Sequence, residues 1–327
     1  MEKQKIVWLQ VLNPAVKAEA NKALPEGFEV FFPTSSTDTE EHDRLIEEAD
    51  YLITQSIYVT GEQLRRAKHL KMIQKYGIGV DKIDCKAAEE LNIPVCITAG
   101  ANSVPVSEMA IGLMLAVNRR IPYVDKAVRA GQWPKAEMRA QCYMLQGKTI
   151  GLVGIGNIAK QVAKRLGGFD VKEIVYYDIF RLSEEKEQEL HVRYVPLDEL
   201  MTVSDVISIH VPLTDETRGM ISAERIGMMK PTAILINTAR GFIIDQDALI
   251  NALREKKIRG AGLDAFEEEP LSADSPLLAL ENLVLTCHHA GSVIDNVLPR
   301  AIHAYGNIEK FSHGEAIDPR DIIVKKH

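Results

Sequence analysis

Three segments of the 327-residue sequence each set a polar side chain just beyond a short apolar run. Ala233-Ile-Leu-Ile-Asn-Thr-Ala-Arg240-Gly carries an arginine, followed by a glycine that relaxes the turn. Gly262-Leu-Asp264-Ala-Phe-Glu-Glu-Glu269-Pro270 carries acids, and Leu283-Val-Leu-Thr-Cys-His288-His289-Ala-Gly-Ser carries a histidine pair. If each run is a strand of an open α/β sheet, the three groups lie at the carboxyl ends, where such sheets bind ligands. Together they suit reduction of a carbonyl next to a carboxylate. The guanidinium forks onto the carboxylate, the imidazole exchanges a proton with the carbonyl oxygen, and the acid fixes and charges the imidazole. Singly, each has a plainer reading: a surface arginine, a solvated acidic turn, two histidines capping a strand. Their common position beyond strands is what favours chemistry.

A fourth segment supplies a partner for that chemistry. Gly151-Leu-Val-Gly154-Ile-Gly156-Asn-Ile-Ala159 follows a predicted strand and opens a predicted helix, the context that a dinucleotide fingerprint requires. Gly154 permits the tight turn, Gly156 lets the backbone approach a pyrophosphate, and Ala159 allows close helix–strand packing. The amides of Asn157 and Ile158 are placed to hold the pyrophosphate. A lone loop of this kind is weak, since any α/β protein has glycine-rich turns. It gains weight from Glu173-Ile-Val-Tyr-Tyr-Asp178, whose acid stands 22 residues after Gly156, as a ribose-binding carboxylate for NAD should. Arg181, three residues on, reads as a surface charge.

The elements that must position these groups alternate between strand and helix almost throughout, which predicts parallel α/β sheets. Predicted strands are 6–12, 28–32, 51–53, 71–73 and 93–96, then 149–153, 174–177, 206–209, 233–236, 261–263 and 283–285. Between the two series, 103–130 reads as one long connector helix with Pro105 in its first turn. The last helix, about 294–311, follows all the strands and can return to the first series. The expected organisation is a discontinuous outer domain, 1–102 plus 294–327, holding an inner domain, 103–293.

Composition removes several classes. A net charge of −7 and a pI near 5.8 leave no basic footprint for nucleic acid. Cys85, Cys96, Cys142 and Cys287 form neither a Cys-x-x-Cys pair nor a metal-binding spacing, which predicts reduced thiols and no metal site. The longest apolar stretch, 109–117, falls short of the ~20 residues of a membrane span, and the N-terminal apolar run is too short for a signal peptide. A cytoplasmic location is expected.

At this point the sequence resembles the D-isomer-specific 2-hydroxy-acid dehydrogenases, the family that includes phosphoglycerate dehydrogenase, glyoxylate/hydroxypyruvate reductase and D-lactate dehydrogenase. The likeness runs from about 49 to 292. It is carried by Gly77-Ile-Gly-Val-Asp81, Ala101-Asn-Ser-Val-Pro-Val-Ser-Glu108, the Gly154 loop, His210-Val-Pro-Leu-Thr214, Asn237-Thr-Ala-Arg-Gly241, Leu263-Asp-Ala-Phe266 and Thr286-Cys-His288. The resemblance implies a Rossmann-type doubly wound parallel sheet inserted into a second, flavodoxin-like α/β domain. It puts the catalytic set on Arg240, Glu269 and His288. Glu269 is preferred to its neighbours because it directly precedes Pro270, and His288 to His289 because it stands two places after Thr286. Cys287 departs from the family's proline. The resemblance further implies cofactor contacts from His210, Val211, Pro212, Thr217, Thr238, Ala239, Asp264 and Gly291. Substrate carboxylate contacts fall on Ile78 and Gly79, with Arg240.

The expected activity is therefore NAD-dependent interconversion of a small D-2-hydroxy acid and its 2-oxo acid. The expected partners are that substrate and a second copy of the chain, a homodimer to which 109–117 could contribute, and neither nucleic acid nor a membrane. Serine-pathway phosphoglycerate dehydrogenase and a nucleotide-sensing corepressor are the alternatives. In phosphoglycerate dehydrogenases the stretch matching Thr54-Gln-Ser-Ile57 typically supplies an arginine for the phosphate, and here it has none. Arg65 and Arg66 read as solvent-facing. A non-phosphorylated substrate, such as hydroxypyruvate, glyoxylate or a short aliphatic 2-oxo acid, is expected.

Overall fold

Largely apolar runs of two to six residues, punctuated by polar turns, fold into thirteen strands among residues 3–326, which the computed structural model describes. The chain divides into two compact units, Met1–Asn102 with Val293–His327, and Ser103–Ser292.

In the first unit, β1 (Gln4–Leu9), β2 (Phe28–Phe31), β3 (Tyr51–Thr54), β4 (Met72–Lys75) and β5 (Val95–Cys96) are mutually parallel. The second unit holds β6 (Thr149–Val153), β7 (Glu173–Tyr177), β8 (Val192–Tyr194), β9 (Val206–Ile209), β10 (Ile234–Asn237), β11 (Gly260–Leu263) and β12 (Leu283–Leu285), all parallel. The last strand, β13 (Ile322–Val324), returns to the first sheet and pairs antiparallel with β5. The spatial orders are β2-β1-β3-β4-β5-β13 and β8-β7-β6-β9-β10-β11-β12. The first contains the flavodoxin-like order and the second the dinucleotide-binding order with one added strand. Each reverses direction once, between β1 and β3 and between β6 and β9, and at such a point loops diverge and leave a crevice.

Side chains alternate across each sheet. Ile6 and Trp8 join Tyr51, Ile53 and Met72 under the helix Val297–Ser312, whereas Val7 and Leu9 join Leu52 and Ile73 on the other face. Strands β3, β9 and β10 are buried along their whole length, as parallel strands covered on both faces must be.

Two expectations need correction. The long connector is two helices, Ser103–Arg119 and Ile121–Arg129, separated by Arg120 in the left-handed region at φ 52°. Pro122 lacks the amide that would continue the ladder, and its ring blocks the carbonyl four residues back. The apolar run 109–117 is consumed within the second unit, where Ala110, Ile111, Leu113, Met114 and Val117 are buried in its core. The short strands β8 and β13 escaped the sequence reading because three residues carry almost no periodic signal.

Candidate active site

The second unit positions its polar groups through the backbone at strand exits. At the end of β10, the buried Asn237 side chain accepts from the Ala239 amide at 2.9 Å and donates to the Arg240 carbonyl at 2.9 Å. This pair of bonds fixes the turn that presents Thr238, Ala239 and Arg240. Arg240 is extended, and its Nη1 donates to the Ala239 carbonyl at 2.8 Å. Gly241 follows because nothing larger fits. A β-carbon there would lie 1.9 Å from the Phe266 carbonyl carbon and 2.2 Å from the Glu267 nitrogen. The β10 and β11 exits therefore run in contact.

Asp264, fully buried beyond β11, ties that exit to the next. One carboxylate oxygen accepts from Thr286 Oγ1 at 2.6 Å and the His289 amide at 3.0 Å, and the other accepts from the Ala290 amide at 2.9 Å. The loop after β12, including Gly291, is thereby braced. In it His288 takes φ 52°, uncommon for a residue with a side chain and frequent at functional sites. Its Nδ1 meets both Glu269 oxygens, at 2.9 and 2.8 Å, and the Phe266 amide donates to the same carboxylate at 3.1 Å. The structure thus brings Glu269 to His288, while His289 contributes its backbone. Cys287 leaves this register intact. With Nδ1 committed to the carboxylate, Nε2 is the ring nitrogen left for proton exchange.

The glycine loop lies at the switch point. Gly154 has φ +93°, and a β-carbon on it would sit 2.9–3.0 Å from Val211 and the His210 carbonyl carbon. The exits of β6 and β9 touch only because that position is glycine. Among the described residues nothing lies within 4 Å of a β-carbon position at Gly156, and no side chain caps the helix Asn157–Leu166 that follows. The Asn157 and Ile158 end of that helix has room for an anion. Asp178 follows β7 and accepts from the Ile155 amide at 2.8 Å, so it also shapes the loop. Arg181 is drawn off by Glu187, with contacts of 2.9 and 3.0 Å.

Beyond β9, burial pushes the His210 imidazole down to about 3, so the ring is neutral at ordinary pH. Neither of its nitrogens has a hydrogen-bond partner among the described residues, and the same holds for Thr238 Oγ1 on the neighbouring exit. Thr217 closes its loop, donating to the Pro212 carbonyl at 2.6 Å and accepting from the Thr214 amide at 2.8 Å. A cradle only glycine permits, an uncapped helix start, an acid beside it and orphaned polar atoms on adjacent exits fit a dinucleotide.

In the first unit, β4 exits through Tyr76 to Gly77, which has φ +145°, and then to the half-exposed Ile78 and Gly79. The Gly77 carbonyl accepts from the Thr98 amide at 2.9 Å. Lys75, 5% exposed, donates its ammonium to the Gln55 carbonyl. That cation was not anticipated, because a lysine ending an apolar strand reads as an edge charge.

Residues 111–290 match the family described as "D-isomer specific 2-hydroxyacid dehydrogenase, NAD binding domain". A glyoxylate reductase of Korarchaeum cryptofilum is 42% identical over 79% of this chain and 77% of its own length. A D-3-phosphoglycerate dehydrogenase of Methanocaldococcus jannaschii is 39% identical over 95% of this chain and 58% of its own. Among solved structures, NAD-dependent formate dehydrogenase from Staphylococcus aureus in complex with NAD superposes with a TM-score of 0.86 at 29% identity, covering 99% and 100% of the two chains. With the strand orders and the glycine loop already in place, these likenesses settle the family: the chain belongs to the D-isomer-specific 2-hydroxyacid dehydrogenases and is an NAD-dependent oxidoreductase.

Proposed function

We propose that the enzyme reduces a small, non-phosphorylated 2-oxo acid, of the glyoxylate or hydroxypyruvate kind, to the D-2-hydroxy acid. The observation that carries this reading is the Glu269–His288 pair at 2.8 Å, in the same unit as Arg240 and the glycine loop. NADH, held by Gly154, Gly156, Asn157, Ile158 and Asp178 with His210, Val211, Pro212, Thr217, Thr238, Ala239, Asp264 and Gly291 around it, supplies the hydride when bound. Arg240 forks onto the substrate carboxylate and polarises the carbonyl. Protonated His288 delivers its Nε2 proton to the C2 oxygen, and Glu269 stabilises the imidazolium and fixes its orientation. Ile78 and Gly79 offer backbone amides to the carboxylate, which makes the first unit the substrate domain.

A phosphate dianion would need charge-assisted partners. Thr54 to Ile57 carry no cation of their own. Arg65 pairs with Glu90, and Arg66 with Asp43, Glu47 and Glu62. The corepressor alternative lacks a reason to keep an acid-paired histidine at a strand exit. Among the described residues no helix is long and apolar enough to cross a membrane, and the four cysteines are free, consistent with work in the cytoplasm. We further propose a homodimer formed through the second unit. Its groove of about 620 Å³ is lined by Ile121, Val128, Trp133 and Met138, and Trp133 is 78% exposed. A steady-state panel of glyoxylate, hydroxypyruvate and 3-phosphohydroxypyruvate with NADH tests the substrate. A higher kcat/KM for the phosphorylated compound at matched ionic strength overturns it, and absence of turnover with every 2-oxo acid removes the enzymatic reading itself.

A further inference from the structure

The helix Val297–Ser312 turns Val297, Arg300, Ala301, Ala304, Tyr305 and Ile308 inward. Five of these are ordinary core residues at helical spacing; Arg300 is a guanidinium, 7% exposed, on the same stripe. Its Nη2 donates to the Tyr76 carbonyl, and its carbon Cζ stands 3.9 Å from the centre of the Tyr76 ring. Nε is buried with no hydrogen-bond partner among the described residues. Among the described residues no carboxylate lies within ion-pairing distance of it, and Tyr76 is the charged or titratable group that bears on it. Burial lowers the guanidinium to about 10, still well above neutrality, so the group stays charged.

A buried cation without a counter-charge is costly. One bond to a carbonyl and one contact with the face of the Tyr76 ring are a modest return for that cost. The location suggests the reason. A β-carbon placed on Gly77 would lie 3.1 Å from Arg300 Nη2 and 3.7 Å from Lys75 Cε. Two basic side chains, each more than nine-tenths buried, therefore flank the residue that opens the Gly77–Gly79 turn.

We propose that Arg300 is a positioning residue for substrate: from behind the Tyr76–Gly79 turn it holds the backbone in place and supplies the fixed positive charge that draws a carboxylate to the turn's amides. The ligand class is a small carboxylate anion, the 2-oxo acid itself or an unreactive analogue such as oxalate. The inference rests on the reading that this turn receives the substrate carboxylate, and it concerns ground-state binding. It predicts that removing the charge raises KM with little change in kcat, the pattern of an interaction equally strong in ground and transition states.

The test compares the wild-type enzyme with Arg300→Met and Arg300→Lys. For Arg300→Met, KM for glyoxylate and hydroxypyruvate should rise about tenfold or more, as expected for losing a poorly screened charge near the ligand. Oxalate, titrated by calorimetry without turnover, should weaken by a similar factor. Values of kcat should stay within about threefold, the NADH Kd should be unchanged, and Arg300→Lys should recover much of the loss. Unchanged KM and oxalate binding in a folded Arg300→Met overturn the inference. So does a fall in kcat that tracks a lowered Tm and that Arg300→Lys fails to rescue, since that marks a purely structural residue. Oxalate binding separates this inference from the proposed function: if no 2-oxo acid is turned over yet oxalate binds in an Arg300-dependent way, the anion site stands and the assigned reaction falls.

Discussion

The two sheets start alike and finish differently. In the first unit, Asp50 precedes β3; its side chain accepts from the Lys5 amide at 2.8 Å and pairs with Lys71 at 2.9 Å. In the second unit, Asp205 precedes β9; its side chain accepts from the Thr149 amide at 2.9 Å and pairs with Lys230 at 3.0 Å. Each acid thus clamps the strand that lies across the switch point and takes a lysine from just before the next strand. The carboxyl ends diverge. The second unit sends out a glycine cradle, Arg240, Glu269 and His288; the first sends out a turn backed by buried cations. The amino ends show what a parallel sheet needs to align its strands, and the carboxyl ends show where chemistry is free to vary.

The largest expected effect tests where the chemistry sits. His288→Ala should lower kcat by ~10²–10⁴, the range for a general acid–base group, and leave the NADH Kd in place. If His289→Ala gave that loss and His288→Ala did not, the exit of β12 has been read one residue out of register. Next, Glu269→Gln keeps the shape but removes the charge opposite His288. A charge-assisted hydrogen bond contributes ~1.5–3 kcal/mol, so kcat should fall about ten- to a hundredfold, with KM altered less. An effect under twofold would mean that the pair is architectural.

A smaller effect sharpens the role of the glycine cradle. Asp178 beside it should exclude a 2′-phosphate, favouring NADH over NADPH by more than about tenfold in kcat/KM. Equal efficiency with the two cofactors would assign Asp178 to the Ile155 amide alone.

The smallest effect probes the shared clamps. Burial alone would raise both carboxyls, but the Lys5 amide with Lys71, and the Thr149 amide with Lys230, outweigh it and hold Asp50 and Asp205 below their usual range. A lowered folded value means stability that is fully present above the unfolded pKa of ~3.9 and is lost as pH falls through the folded one. Asp50→Asn and Asp205→Asn should each cost ~1–3 kcal/mol at neutral pH and flatten the stability profile below about pH 4. Denaturant melts at pH 7 and pH 3 would read this. A loss confined to one variant would break the equivalence of the two amino ends.

Much of this was legible in residue order, because some requirements are local. A β-carbon is forbidden at Gly154 and Gly241 by backbone within 3 Å, so glycine marks those exits in the sequence. Alternation of apolar runs with helical spacing is likewise a local record of what each sheet buries. The break at Arg120 was within reach too, since Pro122 stands two residues on. By contrast, nothing local separates the roles of Asp264, whose three donors come from residues 22 or more positions away.

The sequence by itself determined the two-sheet plan, the glycine loop and the three polar strand exits, because turn geometry and strand burial constrain residues a few positions apart. The resemblance picked His288 over His289; only the tertiary structure decided that its Nδ1 meets both Glu269 oxygens and that Arg300, 224 residues from Tyr76, lies against its carbonyl. Those pairings depend on distances across strands and helices, and sequence spacing does not encode them.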